Sequence, residues 1–452
     1  MPDSYDVVVV GARCAGAPLA MLLAREGLRV CLIDRARFPS EVPSTHAIQP
    51  NGVAALERMG LAERVRAIGA PPITQAKIDI DGVVIDYSDG FVAQSGAPMW
   101  CIRRASLDQQ LVEAAVDAGA EFRPTTAATG LVRNDGRVGG VETPAGRISA
   151  SLVVGADGPH SGVARMAGSR EYHASPPGRL FVWGYFDGVR NPPARLWIGK
   201  AGDVGMLAAP TDGELFLVAL VPSLADKARY LSDTAAALTE GLGGFPEVAD
   251  VVDGAGLVGP VRAMARWHGY FREATGPGWV LVGDAGHFKD PTPGQGISDA
   301  FRQVEHLVPA ITAGLTDGTV DQRLNAWAEW RDEDAWEMYW FAGDMGAPGP
   351  TPALVREMIR QVVERPGGAD RFLQLMDHQL PPSQLFTPRR ALAAAARLAA
   401  TRQTGVRRIG AELKQVMAQE RSRRRVRRQP TYRALEHVAP EDSALPGAMS
   451  TA

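Results

Sequence analysis

The sequence predicts an α/β protein in which a mostly parallel sheet is interrupted by an antiparallel sheet and followed by a helical region. Three observations support this fold class. Residues 5–35 form one strand–helix–strand pattern, with short β-branched runs on either side of a helical stretch. Residues 76–87 and 181–221 change to short strand-like runs between Gly, Asp, Asn and Pro turns, which is typical of antiparallel strands. Past residue 340 the pattern is one of helices separated by loops rich in Pro and Gly.

The composition is ordinary for a soluble globular protein, with 45% apolar and 22% charged residues. No apolar run is long enough to span a bilayer and no cleavable leader is present, which predicts a cytoplasmic protein without a transmembrane segment. We expect a monomer or a homodimer. Cys14, Cys31 and Cys101 are widely spaced and form no ligand motif, so we expect no metal site.

The charge is unevenly distributed along the chain. Residues 389–433 contain fourteen Lys or Arg against two Glu, so that a net charge of −3 leaves the remainder near −15. This distribution argues against a generally basic nucleic-acid binder. We interpret the basic tail as a solvated helical face against an acidic body, with membrane or nucleic-acid contact as the alternative.

The first turn of the strand–helix–strand unit has the spacing of a dinucleotide-binding site. Gly11 ends the first strand, Gly16 opens the helix, and Asp34 follows the second strand. Gly11 permits the tight turn, and Gly16 lets the helix approach the strand with its N–H groups toward a pyrophosphate. An acid at the position of Asp34 can accept hydrogen bonds from the hydroxyls of a ribose. Arg13 replaces the middle glycine of the fingerprint. The alternative is a plain Gly-rich turn in another doubly wound fold.

Two more buried strands end in polar, glycine-rich loops. Residues 151–154 lead to Asp157, and residues 279–282 lead to Asp284. Because α/β sheets bind ligands at the carboxyl ends of their parallel strands, both carboxylates are candidate binding residues. The loop after Asp284 then opens a helix predicted over residues 297–315, and the bare N–H groups at its start favour negative charge.

Aromatic residues and a histidine supply further candidates. Phe181, Trp183 and Tyr185 fall on one face of a predicted strand. An aromatic stripe is more often core than a pocket wall, and a lone histidine in a loop is more often structural than catalytic. With those alternatives open, Trp183, Tyr185 and Trp197 are the candidate pocket residues, and His46 and Tyr185 are candidate catalytic residues.

Changes of period and Pro/Gly loops predict three domains. The nucleotide-binding domain is discontinuous, a β-rich substrate domain is inserted in it, and a helical region with the basic tail follows. Their predicted bounds are 1–72, 100–175 and 262–340 for the first, 73–99 and 176–261 for the second, and 341–452 for the third.

Three motifs occur in one order along residues 5–340: GARCAG with its following acid, GADGPHS, and GDAGHFKDPTPGQG. In this order they resemble the group A flavoprotein monooxygenases, the single-component FAD enzymes of the para-hydroxybenzoate hydroxylase fold. The resemblance implies a Rossmann-like FAD-binding domain with the βαβ unit of the glutathione-reductase type. The FAD-binding residues that it implies are Gly11, Arg13, Ala15, Gly16, Asp34, Arg35, Arg104, Asp157, Gly283, Asp284, Pro291, Gly294, Gly296 and Ile297.

The family assigns roles to several of these positions. Arg104 matches a polar residue beside the pyrophosphate and ribityl chain, and Asp157 matches a motif implicated in both FAD and NAD(P)H binding. Asp284 matches the acid that holds the ribityl chain. The segment from Pro291 to Ile297 matches the one that lines the isoalloxazine ring, which makes Pro291 a third catalytic candidate.

Four residues depart from the family pattern. Arg13 replaces a glycine, Arg165 lies one position later than the usual arginine, and Pro293 and Ser298 replace the commoner Gly and Asn. These differences are typical of an outlying branch of the family.

The resemblance implies a monooxygenase of secondary metabolism that uses FAD, O2 and, as a transient co-substrate, NAD(P)H. In the family mechanism a flavin C4a-hydroperoxide hydroxylates a bound small molecule, expected here to be aromatic or polyketide-like. Halogenases share the first motif but carry W-x-W-x-I-P, which Trp183-Gly-Tyr185-Phe-Asp does not match. Geranylgeranyl-reductase-like hydride transfer and a non-enzymatic FAD-binding regulator, with the basic tail as its contact, are the remaining alternatives.

Overall fold

The computed structural model describes residues 4–88, 90–176, 178–265, 267–402 and 404–435. The first three residues of the predicted nucleotide-binding domain and the last seventeen of the predicted C-terminal region therefore lie outside the described residues.

The first sheet contains eight strands, five of which are parallel. Its strands are β1 (Ser4–Val10), β2 (Val30–Ile33), β7 (Glu121–Arg123), β8 (Gly130–Asn134), β9 (Arg137–Thr143), β10 (Gly146–Gly155), β18 (Thr275–Gly276) and β19 (Trp279–Leu281). The parallel strands follow the order β7-β2-β1-β10-β19. The valines from Val7 to Val10 are buried on both faces of the sheet, which explains the uninterrupted β-branched run. The order brings the carboxyl ends of β1, β10 and β19 side by side.

The second sheet contains seven strands and is almost wholly antiparallel. Its strands are β4 (Gln75–Ile80), β5 (Val83–Tyr87), β12 (Phe181–Asp187), β13 (Arg195–Ala201), β14 (Val204–Pro210), β15 (Phe216–Val221) and β16 (Gly256–Met264). They follow the order β16-β12-β15-β14-β13-β4-β5. One pair, β4 with β13, is parallel, because the earlier hairpin joins the later meander side by side rather than through a turn.

Two small sheets complete the strands. Their members are β3 (Ala47–Ile48) with β6 (Trp100–Cys101), and β11 (Arg170–Tyr172), β17 (Tyr270–Arg272), β20 (His287–Phe288) and β21 (Arg433–Ala434). The helices are α1 (Gly16–Arg25), α2 (Pro50–Arg58), α3 (Ala62–Arg66), α4 (Phe91–Ser95), α5 (Arg104–Asp117), α6 (Gly162–Ala167), α7 (Lys227–Ser232), α8 (Thr234–Gly241), α9 (Pro246–Val251), α10 (Gly296–Asp317), α11 (Val320–Met345), α12 (Ala353–Val363), α13 (Gly368–Met376), α14 (Pro388–Thr401) and α15 (Val406–Arg428). Among the described residues, no helix is both long enough and apolar enough to cross a membrane.

The second sheet separates two apolar clusters. One face packs against α7, α8 and α9 through side chains such as Leu238 and Phe245. The opposite face packs against α11, α12 and α13 through side chains such as Phe341, Ile359 and Phe372. Each face of the sheet is therefore covered, and the two faces have different neighbours.

The fold class and the element types expected from the sequence are confirmed. The Asp81–Gly82 hairpin joins β4 and β5, and the four strands expected between residues 181 and 221 are β12 to β15. Strand β16 runs across the predicted boundary at residue 262, and the domain boundaries stay a prediction. In the last helix, Val406, Ile409, Leu413 and Val416 have the spacing of one apolar side; Ile409 is buried there, but Val406 is 73% exposed.

Candidate flavin and substrate site

The first turn is held so closely that only glycine fits at two positions. Gly11 has φ +103°, and a Cβ there would overlap the carbonyl oxygen of Ala156 at the end of β10. A Cβ on Gly16 would overlap the carbonyl oxygen of Gly11. The turn therefore lies flat against the neighbouring strand.

Four consecutive backbone N–H groups in this turn lack an acceptor. Within the described part of the chain, no acceptor lies within hydrogen-bond reach of the N–H groups of Arg13, Cys14, Ala15 and Gly16. Asp34 holds the turn in place, because its Oδ2 accepts a hydrogen bond from Ala12 N at 2.8 Å. Such a row of free donors at the start of a helix is a ready site for a phosphate.

Asp108, which the sequence interpretation missed, organises the basic side chains beside this turn. It is fully buried and accepts from Arg104 Nη2 at 2.9 Å, from Arg13 Nη1 at 3.1 Å and from Cys14 Sγ at 3.4 Å. The guanidinium of Arg13 also lies over the Phe38 ring. The arginine that replaces the middle glycine of the motif is therefore held to one side. The i,i+4 spacing of Arg104 and Asp108 at the start of α5 could have revealed this pair.

The last parallel strand brings a second carboxylate to the same edge. Gly283 follows β19 with φ +62° and lies against Ala15 of the first turn. Burial raises the pKa of the next residue, Asp284, to about 6, while the Arg104 guanidinium acts in the opposite direction. The carboxylate of Asp284 has no hydrogen-bond donor among the described residues. It is therefore free to accept from the hydroxyls of a ligand.

The loop from Pro291 to Gly296 forms the other end of the cleft. Gly294 N donates to Pro291 O at 2.8 Å, and Gly294 has φ +66°. The first residue of α10, Gly296, is exposed and has open space where a side chain would lie. In the described chain the N–H groups of Gly296 and Ile297 have no acceptor. This helix end therefore presents a partial positive charge to the cleft.

The structure brings together two candidate catalytic residues, His46 and Tyr185. The Tyr185 hydroxyl lies 2.7 Å from His46 Nε2, and His46 Nδ1 lies 2.7 Å from the carbonyl oxygen of Ser44. A carbonyl can only accept, so Nδ1 carries the proton and Nε2 accepts from Tyr185. Burial lowers the pKa of His46 to about 3, which keeps the ring neutral.

Trp183 and Tyr185 lie on the sheet face that packs against α11, α12 and α13, together with Phe181. The indole Nε1 of Trp183 is buried and has no partner in the described part of the chain. Trp197 lies on the opposite face, among the side chains of α7, α8 and α9, and its Nε1 donates to Glu247 at 3.0 Å. Trp197 is therefore not on the sheet face that carries Trp183 and Tyr185, because successive residues of β13 point to opposite faces of the sheet.

Asp157, whose Cα lies next to Gly11 of the first turn, and Arg35 are two further predicted residues. Asp157 caps the start of α6, accepting from Ser161 Oγ at 2.5 Å and from Gly162 N at 2.7 Å. The side chain of Arg35 is exposed beyond the end of β2. Asp157 thus shapes the loop after β10, whereas Arg35 belongs to the outer edge of the first turn.

These features fit an elongated dinucleotide with a redox-active ring at one end. The first turn offers free N–H donors for phosphate, Asp284 offers a free acceptor for a polyol chain, and the start of α10 suits a ring that gains negative charge. Fold and site together define a dinucleotide-dependent protein in which a second sheet lies beside the cofactor cleft.

The comparisons with known proteins identify the family. A family model described as an FAD binding domain matches residues 4–342, and the chain belongs to this family. The chain is 28% identical over 328 residues to the digeranylgeranylglycerophospholipid reductase of Methanocella arvoryzae, covering 67% of this chain and 76% of that one. It is 26% identical over 329 residues to the 6-methylpretetramide 4-monooxygenase of Streptomyces rimosus, covering 71% and 78%.

The fold has solved counterparts. A flavin-dependent brominase superposes with a TM-score of 0.71 at 20% sequence identity, over 89% of this chain and all of that chain. The predicted resemblance to FAD-dependent flavoprotein monooxygenases is therefore confirmed for family and fold. The chain is an FAD-dependent oxidoreductase whose relatives include monooxygenases, halogenases and reductases.

Proposed function

We propose that this protein is an NAD(P)H-consuming monooxygenase that hydroxylates an aromatic or polyketide-like small molecule. The observation that supports this most directly is the contact between His46 and Tyr185. It joins the segment beside the Pro291–Gly296 loop to an aromatic, buried sheet face. A substrate held against that face lies at the ring end of the cofactor cleft rather than at its phosphate end.

When bound, the flavin supplies the redox chemistry, and the chain holds and shields it. The N–H groups of the first turn bind its diphosphate, and Asp284 accepts from its ribityl hydroxyls. The N-terminus of α10 stabilises negative charge at the ring. The Arg104 charge acts on both Cys14 of the first turn and Asp284, and Asp108 keeps its side chain in place.

The His46–Tyr185 pair orients the substrate rather than removing its proton. Because the pKa of His46 lies at about 3, transfer of a proton from an ordinary phenol to the ring would run about seven pKa units uphill. Tyr185 donates to His46 and keeps its lone pairs for a hydroxyl of the substrate. We expect Tyr185 to hold a phenolic or enolic group at a fixed distance from the flavin.

The unpartnered indole of Trp183 supplies a second polar contact. A buried donor without an acceptor is unfavourable by about 1–3 kcal/mol, which a carbonyl or hydroxyl of a ligand would relieve. One donor and one hydroxyl on an apolar aromatic face suit a flat, oxygenated substrate.

The first experiment is an absorbance spectrum of the purified protein, followed by aerobic NADH and NADPH oxidation with a panel of phenols and polycyclic aromatics. We expect bound FAD, faster oxidation with one compound class, and a product heavier by one oxygen atom. Steady oxidation that yields only hydrogen peroxide with every compound would contradict the proposal.

A matched pair of variants tests the pocket. Tyr185→Phe is expected to lower the fraction of NAD(P)H that yields hydroxylated product, because the substrate loses its polar anchor. Trp197→Phe lies on the opposite sheet face and is expected to leave that fraction unchanged. Equal effects of both substitutions would remove Tyr185 from the proposed pocket.

A reductase is the second candidate, because the relative from Methanocella arvoryzae carries that name. It would transfer hydride from the reduced flavin to an alkene without oxygen. Reoxidation of the reduced flavin by an organic substrate under strict anaerobiosis would favour the reductase over the monooxygenase, provided that the substrate gains no oxygen atom when the reaction is run in air.

A further inference from the structure

The outward face of α15 carries a line of basic residues whose charges are not paired with a carboxylate of the described protein; Arg421 Nε donates to the carbonyl oxygen of Met417 on the same helix. All are exposed, and the described residues provide no carboxylate partner for any of them. They follow one another at intervals of seven, seven, four and three residues, which places them within an arc of about 60° along about 32 Å of helix. The members of this basic stripe are Arg407, Lys414, Arg421, Arg425 and Arg428.

The opposite face of α15 is fixed to the protein. Ile409 is buried, and Leu413 packs against an apolar cluster shared by α12 and α14. Arg423 pairs with Asp344 at 2.5 Å and lies over the Trp340 ring. The helix is therefore anchored by one side, so the basic stripe has a defined direction relative to the body.

Two exposed apolar side chains flank the basic stripe. Val406 is 73% exposed and Met417 is 47% exposed. At 100° per residue both lie along the same edge of the stripe, between it and the anchored face. A polyanion with no apolar region would leave these side chains in water, whereas a lipid interface accepts apolar and basic groups on one helix side.

We propose that the basic stripe docks this protein on an anionic lipid surface. The stripe is straight and spans more than four helical turns, so all five cations can face one flat surface together. The chain outside residues 389–433 has a net charge near −15 and is repelled by such a surface. This charge asymmetry orients the molecule with α15 toward the lipid headgroups.

The test uses the full chain with FAD bound and vesicles of phosphatidylcholine alone or mixed with an equal part of phosphatidylglycerol. We expect sedimentation with the anionic vesicles only, weakened by added salt. Replacing Arg421, Arg425 and Arg428 with Gln is expected to lower the partition coefficient on the order of 100-fold, since each cation near an anionic surface contributes about a fivefold factor.

A charge-matched control separates the stripe from net charge. Replacing Arg133, Arg147 and Arg190 with Gln removes three exposed cations from other surfaces and is expected to change binding less than twofold. Flavin absorbance and the unfolding temperature confirm that both variants are folded. Equal loss in the two variants, or no binding of the unaltered protein to anionic vesicles, would overturn the proposal.

The apolar flank distinguishes lipid from other polyanions. Met417→Gln removes the apolar side chain without changing the charge, so it is expected to weaken vesicle binding at high salt as well as at low salt, and to leave binding to double-stranded DNA unchanged. Binding to double-stranded DNA that equals or exceeds binding to anionic vesicles would overturn the lipid assignment in favour of a nucleic-acid contact.

Discussion

Replacing Asp108 with Asn tests whether the basic cluster beside the first turn depends on one buried carboxylate. Asp108 is 0% exposed, and both Arg13 and Arg104 donate to it. The substitution keeps the size of the side chain and one oxygen acceptor but removes the negative charge. Two largely buried guanidinium groups then lose the carboxylate that both of them contact.

The magnitude follows from the burial of the cluster. Removing one partner of a buried ion pair costs about 3–5 kcal/mol. The remaining amide oxygen accepts one hydrogen bond, so we expect the free energy of unfolding of the flavin-free protein to fall by about 3 kcal/mol. Denaturant titration followed by tryptophan fluorescence measures this change.

Asp117→Asn on the same helix is the control. Asp117 is 62% exposed and pairs with Arg64 at the surface, where such pairs contribute less than about 1 kcal/mol. Equal changes in the free energy of unfolding for the two variants would refute the buried-cluster reasoning. With saturating FAD we expect the Asp108→Asn loss to shrink, because the diphosphate supplies negative charge beside the same arginines. A loss that FAD does not reduce would instead refute the placement of the diphosphate.

Three further predictions concern packing and pH. Gly16→Ala is expected to cost about 3 kcal/mol and to release FAD, whereas Gly343→Ala, in open space within α11, is expected to raise stability by about 0.5–1 kcal/mol; thermal unfolding with flavin absorbance measures both. The folded pKa of Asp284 is raised to about 6, so the flavin-free protein loses stability as pH rises from about 4 to 6, and Asp284→Asn is expected to lose about 2 kcal/mol less over that range in unfolding titrations. The pH dependence of stability due to Glu171 has the opposite sign. Burial opposes ionisation of this side chain, but His268, Arg433 and Arg272 lower its pKa to about 2. Its contribution of about 3 kcal/mol is present above pH 4.5 and disappears as pH falls toward 2, so Glu171→Gln is expected to flatten the acid limb of the stability curve.

The fold could be predicted from the sequence because its elements are locally encoded. The uninterrupted valines of β1, the Asp81–Gly82 turn and the glycines of the first turn each specify one backbone geometry, whatever surrounds them. The parallel pairing of β4 with β13 could not be predicted, because it joins segments separated by more than a hundred residues. The alternation of apolar and polar residues in either strand does not indicate which strand it pairs with.

Residues of the site could be predicted where they act through their backbone geometry, and less well where they act through contacts between side chains from distant segments. Gly11 and Gly16 are required by distances within one turn, so their spacing is informative. Trp197 shows the limit: its aromatic character suggested a pocket, but the register of β13 directs it to the α7–α9 side. Asp108 shows the converse: its i,i+4 spacing from Arg104 marks a pair, but the sequence does not show that the pair is buried or that Arg13 joins it.

The segment from His46 to Gln49 contacts both the aromatic sheet face, through Tyr185, and the loop before α10, through Pro293. His46 has φ +62°, a conformation costly for a side-chain-bearing residue, and it is held by hydrogen bonds to Ser44 and from Ile102 N. Three residues on, Gln49 N donates to Ser298 Oγ of α10, and Gln49 Nε2 donates to Pro293 O in the ring-side loop. A shift of that loop must therefore move the same strand that positions His46 against Tyr185. In the proposed function these four consecutive residues couple substrate contact to cofactor contact, so we expect substitutions at Gln49 to alter the binding of both.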